Sequence, residues 1–406
     1  MIVGVIGAGY VGLPLTKAAI SAGHLLKVFD IDSERIQRLR HGESPVEGIE
    51  SLFLKEAISN GKLSFSDSSD CLSECDVVVI CVPTPLGENQ EPDLTLLKSA
   101  AESAAQNMPD GSLLINESTS FPGTLREIIV PIFKRLRPTN QFFFASSPER
   151  VDPGNSNWNI ENTPRLISGL SELDTKRAKD FYSSFCKTVH TVSSPEVAEF
   201  AKLAENTFRQ VNIALVNEYA EMCTVFGINP QEVLDAAATK PFGFTRFRSG
   251  IGVGGHCIPI DPMYLLQKSK ELGYFPRLIN EAQNVNLQRT VSIANRIKSA
   301  LKGKSNPSIL VYGLAYKSGV SDLRESPSIE LINLLRREGY LVSWYDEKVE
   351  RWIGEDRTSL ESNSSYDLLA VVHFESMESV DALIGRSELV FDATGQIQIS
   401  TKVRVI

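Results

Sequence analysis

Short unbroken apolar runs alternate with helical periodicity through the first part of the chain. Residues 1–6 form the first run; Gly-rich sequence follows, then a helical stretch to about Gly23, then a second apolar run at 25–29. This is the βαβ pattern of a parallel sheet, whose strands are covered on both faces and so read as continuous runs. Runs at 76–82, 112–116 and 141–145 continue it, separated by helical stretches such as 94–106. From Pro195 the pattern changes. Long helical segments at 196–226 and 230–238 follow, with no strand-like run for roughly a hundred residues. An α/β pattern restarts at 308–313 and continues through a helix at 329–338, a strand at 341–345, a run at 368–372 and a strand at 389–391. The expected architecture is α/β: two Rossmann-like doubly wound domains joined by an all-helical central domain, with boundaries at 1–195, 196–300 and 301–406. No short-period repeat interrupts this reading, and 359–365 is a polar loop.

Composition narrows the class. The chain has 406 residues, 42% hydrophobic and 22% charged, which is ordinary globular usage in a length that favours several domains. A net charge of -9 with scattered basic residues gives no electrostatic footprint for nucleic acid or an anionic membrane, so an anionic ligand has to be held locally. No apolar stretch approaches the roughly 20 residues of a membrane helix, and a cytoplasmic location is expected. Six cysteines, at 71, 75, 81, 186, 223 and 257, form neither a CxxC pair nor a dense framework. Reduced thiols and no metal are expected, with Cys71, Cys75 and Cys81 as buried strand thiols.

Three groupings carry candidate chemistry. Gly7-Ala8-Gly9-Tyr10-Val11-Gly12 lies between a predicted strand and a predicted helix, where glycines allow a tight turn and close backbone approach to a pyrophosphate. Asp30 ends the second strand, 23 positions after Gly7, where a carboxylate accepts ribose hydroxyls and repels a 2′-phosphate. NAD is therefore favoured over NADP. Gly254-Gly255-His256-Cys257-Ile258-Pro259-Ile260-Asp261-Pro262 places a thiol in a Gly-rich loop before a helix that Pro262 starts and Gly273 ends. Asp261 is its natural N-cap, and the loop alone leaves Cys257 open between structural thiol and nucleophile. Lys202 and Asn206, four apart, share one helical face; solvated side chains and holders of a substrate oxygen both fit that spacing.

Taken together, these motifs make the chain resemble the UDP-glucose/GDP-mannose dehydrogenase family from end to end. The resemblance rests on Gly7 to Gly12, Cys81-Val82-Pro83-Thr84-Pro85-Leu86, Glu117-Ser118-Thr119, Ser147-Pro148-Glu149-Arg150, Lys202 with Asn206, Gly254 to Pro262, Gly313-Leu314-Ala315-Tyr316-Lys317 and Asp322-Leu323-Arg324-Glu325-Ser326-Pro327. It implies an NAD-binding domain, a helical dimerisation core like that of 6-phosphogluconate dehydrogenase, and a nucleotide-sugar-binding domain. By matched position it implies Cys257 as nucleophile with Lys202, Asn206 and Asp261 around the reacting C6 oxygen, and Glu149 and Thr119 handling water and protons. NAD contacts are implied for Gly7, Gly9, Tyr10, Val11, Gly12, Asp30, Arg35, Pro83, Thr84 and Thr119. Substrate contacts are implied for Glu149, Arg150, Lys202, Asn206, Gly254, Lys317 and Arg324, with Arg246 or Arg248 reaching a neighbouring subunit of a homodimer or higher oligomer. The implied reaction is a four-electron oxidation of C6 of a UDP-sugar to the uronic acid, using two NAD per substrate.

Ser147-Pro148-Glu149-Arg150-Val151-Asp152-Pro153-Gly154-Asn155 and Lys240-Pro241-Phe242-Gly243-Phe244 are similar to the UDP-N-acetylhexosamine branch, with UDP-N-acetylglucosamine the best match. Two segments depart from the family pattern: Ser249-Gly250-Ile251-Gly252 replaces Pro-Gly-Pro-Gly, and Asp392-Ala393-Thr394-Gly395 lacks an arginine common after the final strand. UDP-N-acetylmannosamine, UDP-N-acetylgalactosamine and UDP-glucose are the competing substrates. A non-catalytic nucleotide-sugar-binding protein is the rival of another class, and it leaves the intact Cys257, Lys202, Asn206, Glu149 and Thr119 without a purpose. A two-electron dehydrogenase of the 6-phosphogluconate type needs neither the cysteine nor the last domain.

Overall fold

The computed structural model describes residues 1–406 except 47, 88–89, 152–154, 156, 361–363 and 399. The chain divides into two compact units, one of 1–205 with 263–273, the other of 206–262 with 274–406.

The first unit is built on eight strands: β1 (Ile2–Ile6), β2 (Leu25–Phe29), β3 (Leu63–Ser66), β4 (Val77–Ile80), β5 (Leu113–Asn116), β6 (Phe143–Ser146), β7 (Arg165–Gly169) and β8 (Val189–Thr191). Their order is β3-β2-β1-β4-β5-β6-β7-β8, and its first six follow the doubly wound dinucleotide-binding order. Helices α1 (Gly12–Ser21), α2 (Ser33–Arg40), α3 (Ser51–Ser59), α4 (Thr95–Asn107), α5 (Val130–Leu136) and α6 (Glu172–Tyr182) connect them. Local sequence sets several starts. The Asp32 carboxylate accepts from Arg35 N–H to cap α2, and Ser171 with Asp174 forms a reciprocal capping box on α6.

Register decides what the sheet presents. Ile6 lies opposite Phe29 and Ile80, Ile80 opposite Asn116, and Asn116 opposite Ser146. The residues that follow these strands therefore emerge along one carboxyl edge: Gly7, Asp30, 81–84, 117–119 and 147–149. β7 runs antiparallel to β6, so its first residue, Arg165, returns to that same edge.

In the second unit the long helix α7 (Pro195–Phe226), which begins in the first unit, is followed by α8 (Pro230–Ala238), α9 (Asp261–Glu271, within the first unit from Met263) and α10 (Arg277–Ala300). Five parallel strands then form a second sheet: β9 (Ser308–Tyr312), β10 (Leu341–Tyr345), β13 (Tyr366–Val371), β14 (Ser387–Asp392) and β15 (Val403–Val405), in the order β10-β9-β13-β14-β15. A two-stranded ribbon of β11 (Arg351–Trp352) and β12 (Glu355–Asp356) and the helices α11 (Pro327–Arg337) and α12 (Met377–Gly385) complete the unit. Alternate residues of β9 and β13 enter opposite cores, Ile309, Val311, Leu368 and Ala370 on one face, Leu310, Tyr312, Leu369 and Val371 on the other. Both faces are buried, as continuous apolar runs require.

The architecture is the expected one of two Rossmann-like sheets and a helical centre. The reading of Cys71 and Cys75 as strand thiols is corrected: Cys71 lies in a short 3-10 helix, Ser69–Glu74, and Cys75 ends it. Cys81 follows β4 and is buried. Burial pushes all three thiols up, Cys75 to about 12, so none is a thiolate near neutrality.

Candidate active site

The dinucleotide cradle forms because β1 ends beside β2 and β4. Gly7 turns the chain with φ +105°, and a Cβ there would stand 2.4 Å from the Cys81 carbonyl oxygen. A Cβ on Gly12 would stand 1.9 Å from the Gly7 carbonyl oxygen, so only glycine lets α1 start this close to the turn. Gly9 differs: a Cβ there meets nothing within 4 Å, and the space above its backbone is open. The α1 N-terminus has no side-chain cap and no acidic residue in its first turn, so its dipole faces that space without a competing anion.

Asp30 is 6% exposed, and its carboxylate closes the cradle. Oδ2 accepts from Ala8 N–H at 2.7 Å and from Arg35 Nη1 at 3.0 Å, and Oδ1 accepts from Asp32 N–H at 3.0 Å. Three of roughly four acceptor positions are used, which leaves one for a ribose hydroxyl. The open space over Gly9 and this spare acceptor fit NAD. Tyr10 is exposed on the turn, and Val11 precedes α1. Pro83 and Thr84 follow β4, where Thr84 is buried and its carbonyl accepts from the Tyr264 hydroxyl. The Ser118 hydroxyl accepts from Val82 N–H and donates to the Val82 carbonyl, which locks Thr119 beside the same loop.

Further along this edge sits a buried charge cluster. The Arg165 guanidinium pairs with both Glu117 and Glu149, and Tyr182 donates its hydroxyl to Glu117. Glu149 Oε1 also accepts from the N–H groups of Arg150 and Val151, at 2.7 and 2.6 Å. Burial opposes the charge on Glu149, but Arg165, these N–H groups and nearby Lys202 outweigh it and hold the carboxyl down at about 2. Glu117 has fewer donors and a buried Oε2 with no hydrogen-bond partner; burial pushes it up to about 7. One guanidinium shared by two buried carboxylates thus keeps Glu149 ionised and leaves Glu117 the easier one to protonate. Arg150 is tied by its guanidinium to Glu205 and to the Pro164 carbonyl. Lys202 is buried in the first unit.

The cysteine loop belongs to the second unit. Cys257 is exposed, and its carbonyl accepts from Asp261 N–H at 2.8 Å, which places the thiol one turn before α9. Asp261 is buried at the first position of that helix, and its carboxylate accepts from Asn206 Nδ2 at 2.5 Å. Asn206 lies one turn after Lys202 on α7. The loop is pressed onto the segment after β9: Gly255 N–H donates to the Arg324 carbonyl, and Cβ atoms on Gly254 or Gly255 would strike Glu325, Pro327 or Tyr316 at 2.6 to 2.9 Å. Burial holds His256 down at about 4, so it is neutral. Lys317 lies over the Tyr316 ring, and Arg324 grips Asp322 through Nε and Nη2. Arg246 is tied to Asp235 and Gln231, whereas Arg248 is exposed and has no ion pair among the described residues.

Nothing in the sequence marks Arg165 of β7 or Tyr182 of α6 as a site residue. The signal lay in a strand that reverses direction, which apolar patterning does not reveal. Asp152, Pro153 and Gly154 of the branch-specific segment lie outside the described residues.

A dinucleotide cradle on one doubly wound sheet, an exposed cysteine in a glycine loop and a second parallel sheet define a nicotinamide-dependent dehydrogenase with a separate domain for its substrate. The chain belongs to the UDP-glucose/GDP-mannose dehydrogenase family, whose NAD binding domain matches residues 1–186, central domain 196–288 and UDP binding domain 310–397. It is an NAD-dependent nucleotide-sugar dehydrogenase. It is 35% identical to the UDP-N-acetyl-D-glucosamine 6-dehydrogenase of Pseudomonas aeruginosa, over 92% of this chain and 90% of that one. It is 38% identical to the UDP-N-acetyl-D-mannosamine dehydrogenase of Pyrococcus horikoshii, over 86% and 84%. A solved structure of the UDP-D-ManNAc dehydrogenase from Pyrococcus horikoshii superposes with a TM-score of 0.90 at 32% identity, covering 100% of this chain and 98% of that one. Among the described residues no helix is long and apolar enough to cross a membrane.

Proposed function

We propose that the chain oxidises C6 of a UDP-N-acetylhexosamine, UDP-N-acetylglucosamine in the first instance, to the uronic acid through a thioester on Cys257. The observation that carries this reading is the exposed thiol set one turn before Asp261, whose carboxylate holds the Asn206 amide. NAD, held by Gly7, Gly9, Gly12, Asp30 and Arg35, supplies a hydride acceptor in each of two oxidations. Cys257 adds its sulfur to the C6 aldehyde to give a thiohemiacetal, whose oxidation gives the thioester. Lys202 and Asn206 stabilise the oxygen that carries negative charge, with Asp261 fixing the amide's direction. Glu149, kept ionised by Arg165, takes a proton from the water that releases the carboxylate, with Thr119 positioning that water. Lys317, Arg324 and Gly254 receive the nucleotide diphosphate, Arg150 supports Glu149 from its place beside Glu205, and Arg248 is the arginine that reaches a second subunit.

The domain division behind this reading is 1–195 for NAD, 196–300 for self-association and 301–406 for the UDP-sugar. Phe208, Leu215, Tyr219, Met222 and Phe226 form an exposed apolar stripe along α7, which supports association into a dimer or higher oligomer. The exposed Cys257 has to stay reduced to act, which fits the cytoplasm.

The test is the NADH yield per mole of uronate across purified UDP-sugars and GDP-mannose, together with Cys257→Ser. Two NADH per uronate are expected, with UDP-N-acetylglucosamine the best substrate. Cys257→Ser should lose nearly all turnover yet still bind NAD and nucleotide sugar. One NADH with a stable aldehyde, or a serine variant within a few-fold of the parent rate, overturns the thioester route. Faster oxidation of UDP-N-acetylmannosamine overturns the choice of sugar alone.

A further inference from the structure

A cavity of about 670 Å³ in the second unit shares no lining residue with the cysteine loop or the 313–326 segment. Ser292, Arg296 and Ser299 of α10 line it, spaced so that they share one helical face, together with Thr224 of α7, Phe391 of β14 and Arg404 of β15. The charge around it does not balance. Arg289, one turn before Ser292, is buried and pairs with Glu221, which also accepts from the Ser292 hydroxyl at 2.7 Å. That carboxylate favours the charge on Arg296, against positive charge from both Arg289 and Arg404.

Arg296 is left without relief. Its Nη1 is buried with no hydrogen-bond partner, and Arg404 forms no ion pair among the described residues. Burial first, then Arg289, lowers the pKa of Arg296, so its surroundings penalise the charge it carries. A half-buried guanidinium in net positive surroundings costs free energy that a polyvalent anion removes, and forked donors suit phosphate oxygens. We infer that the cavity is a binding site for a phosphate-bearing small molecule, with Arg296 and Arg404 gripping the phosphate and Phe391 beside the organic part. The volume lies within the range of small-molecule pockets and exceeds what inorganic phosphate fills.

The experiment uses the full chain saturated with NAD and UDP, so that added phosphate does not report on those sites. Inorganic phosphate is titrated at constant ionic strength while the thermal midpoint is followed, with citrate as the carboxylate comparison. The parent should show a saturable rise. Arg296→Gln with Arg404→Gln should weaken the apparent phosphate affinity at least tenfold. Arg404→Gln alone, at an exposed position that should not disturb folding, should weaken it about threefold, and Arg351→Gln on the distant ribbon should leave it unchanged. A non-saturable parent response, the same titration in parent and double variant, or tighter binding of citrate than of phosphate overturns the proposal. So does a double variant whose only change is its association state in sedimentation, since an acidic group of a second copy would then be the occupant.

Discussion

The two sheets end their first crossings with the same device, put to different use. In the first unit β1 ends at Gly7, whose N–H donates to the Phe29 carbonyl, and β2 delivers Asp30 to the turn; in the second, Gly313 N–H donates to Tyr345 and β10 delivers Asp346. Both glycines have φ near +100°, at +105° and +101°. Beyond that point they diverge. After Gly7 the chain enters α1 within a turn and leaves open space over Gly9, a geometry that suits approach of a diphosphate by backbone. After Gly313 no helix starts until Pro327, and the loop between carries Lys317 and Arg324, so the positive charge this turn offers lies on side chains. The carboxylates diverge as well. Asp346 accepts four backbone N–H groups, Leu314 and Ala315 on Oδ2 and Lys348 and Val349 on Oδ1, whereas Asp30 accepts three donors, two of them backbone. A saturated carboxylate is a structural pin. An unsaturated one keeps a lone pair for a ligand.

Stability of the protein without ligands should rank with that difference. Asp346→Ala strands four N–H groups, three of them in buried pairings, and should cost about 3–5 kcal/mol. Urea unfolding followed by tryptophan fluorescence in a Trp158→Phe background, which leaves Trp344 and Trp352 of this unit as reporters, reads the loss. A cost below about 1 kcal/mol would mean that water replaces the carboxylate and that the pin is not one.

Asp30→Ala should cost less, about 1–2 kcal/mol, since Ala8 N–H is the one fully buried donor it strands. Its larger effect should fall on NAD affinity and on the preference over NADP, because the carboxylate both accepts the ribose and repels a 2′-phosphate. Asp30→Asn separates these roles. The amide oxygen can still accept from Ala8 N–H, so stability should largely return while NADP discrimination stays weakened. Calorimetric titration of both cofactors checks it, and unchanged NAD affinity in the alanine variant would assign the ribose to another residue.

What the sequence shows of this molecule follows from how each feature is encoded. Parallel strands buried on both faces announce themselves as apolar runs, so β1, β2, β4 and β9 are legible, as are the Gly7 to Gly12 turn and the one-turn spacing of Lys202 and Asn206. Short strands with polar positions, such as β3 (Leu63–Ser66) and β8 (Val189–Thr191), carry no such signal. Contacts made by chain reversal or long range are hidden too. Arg165 reaches Glu149 only because β7 runs backwards, and Asn206 meets Asp261 across 55 positions. The likeness of the two cradles is equally silent. Asp346 lies 33 positions after Gly313 whereas Asp30 lies 23 after Gly7, and no second GxGxxG marks the repeat.

The smallest expected effect on stability tests the open side of the comparison most directly. Gly9 does not have a positive φ, and a methyl group there meets no atom within 4 Å, so Gly9→Ala introduces neither strain nor a clash in the free protein. Removing glycine's freedom from the unfolded chain stabilises by about 0.4–1 kcal/mol where the native conformation accepts alanine. The thermal midpoint without NAD should therefore stay level or rise slightly. NAD binding should nevertheless weaken, because the methyl occupies the space through which the backbone is approached by the pyrophosphate. Gly12→Ala provides the contrast: its Cβ would lie 1.9 Å from the Gly7 carbonyl oxygen, so it should lose stability and NAD together. If Gly9→Ala keeps full NAD affinity at unchanged stability, the space above Gly9 is not where the diphosphate lies, and the two cradles differ less than their geometry indicates.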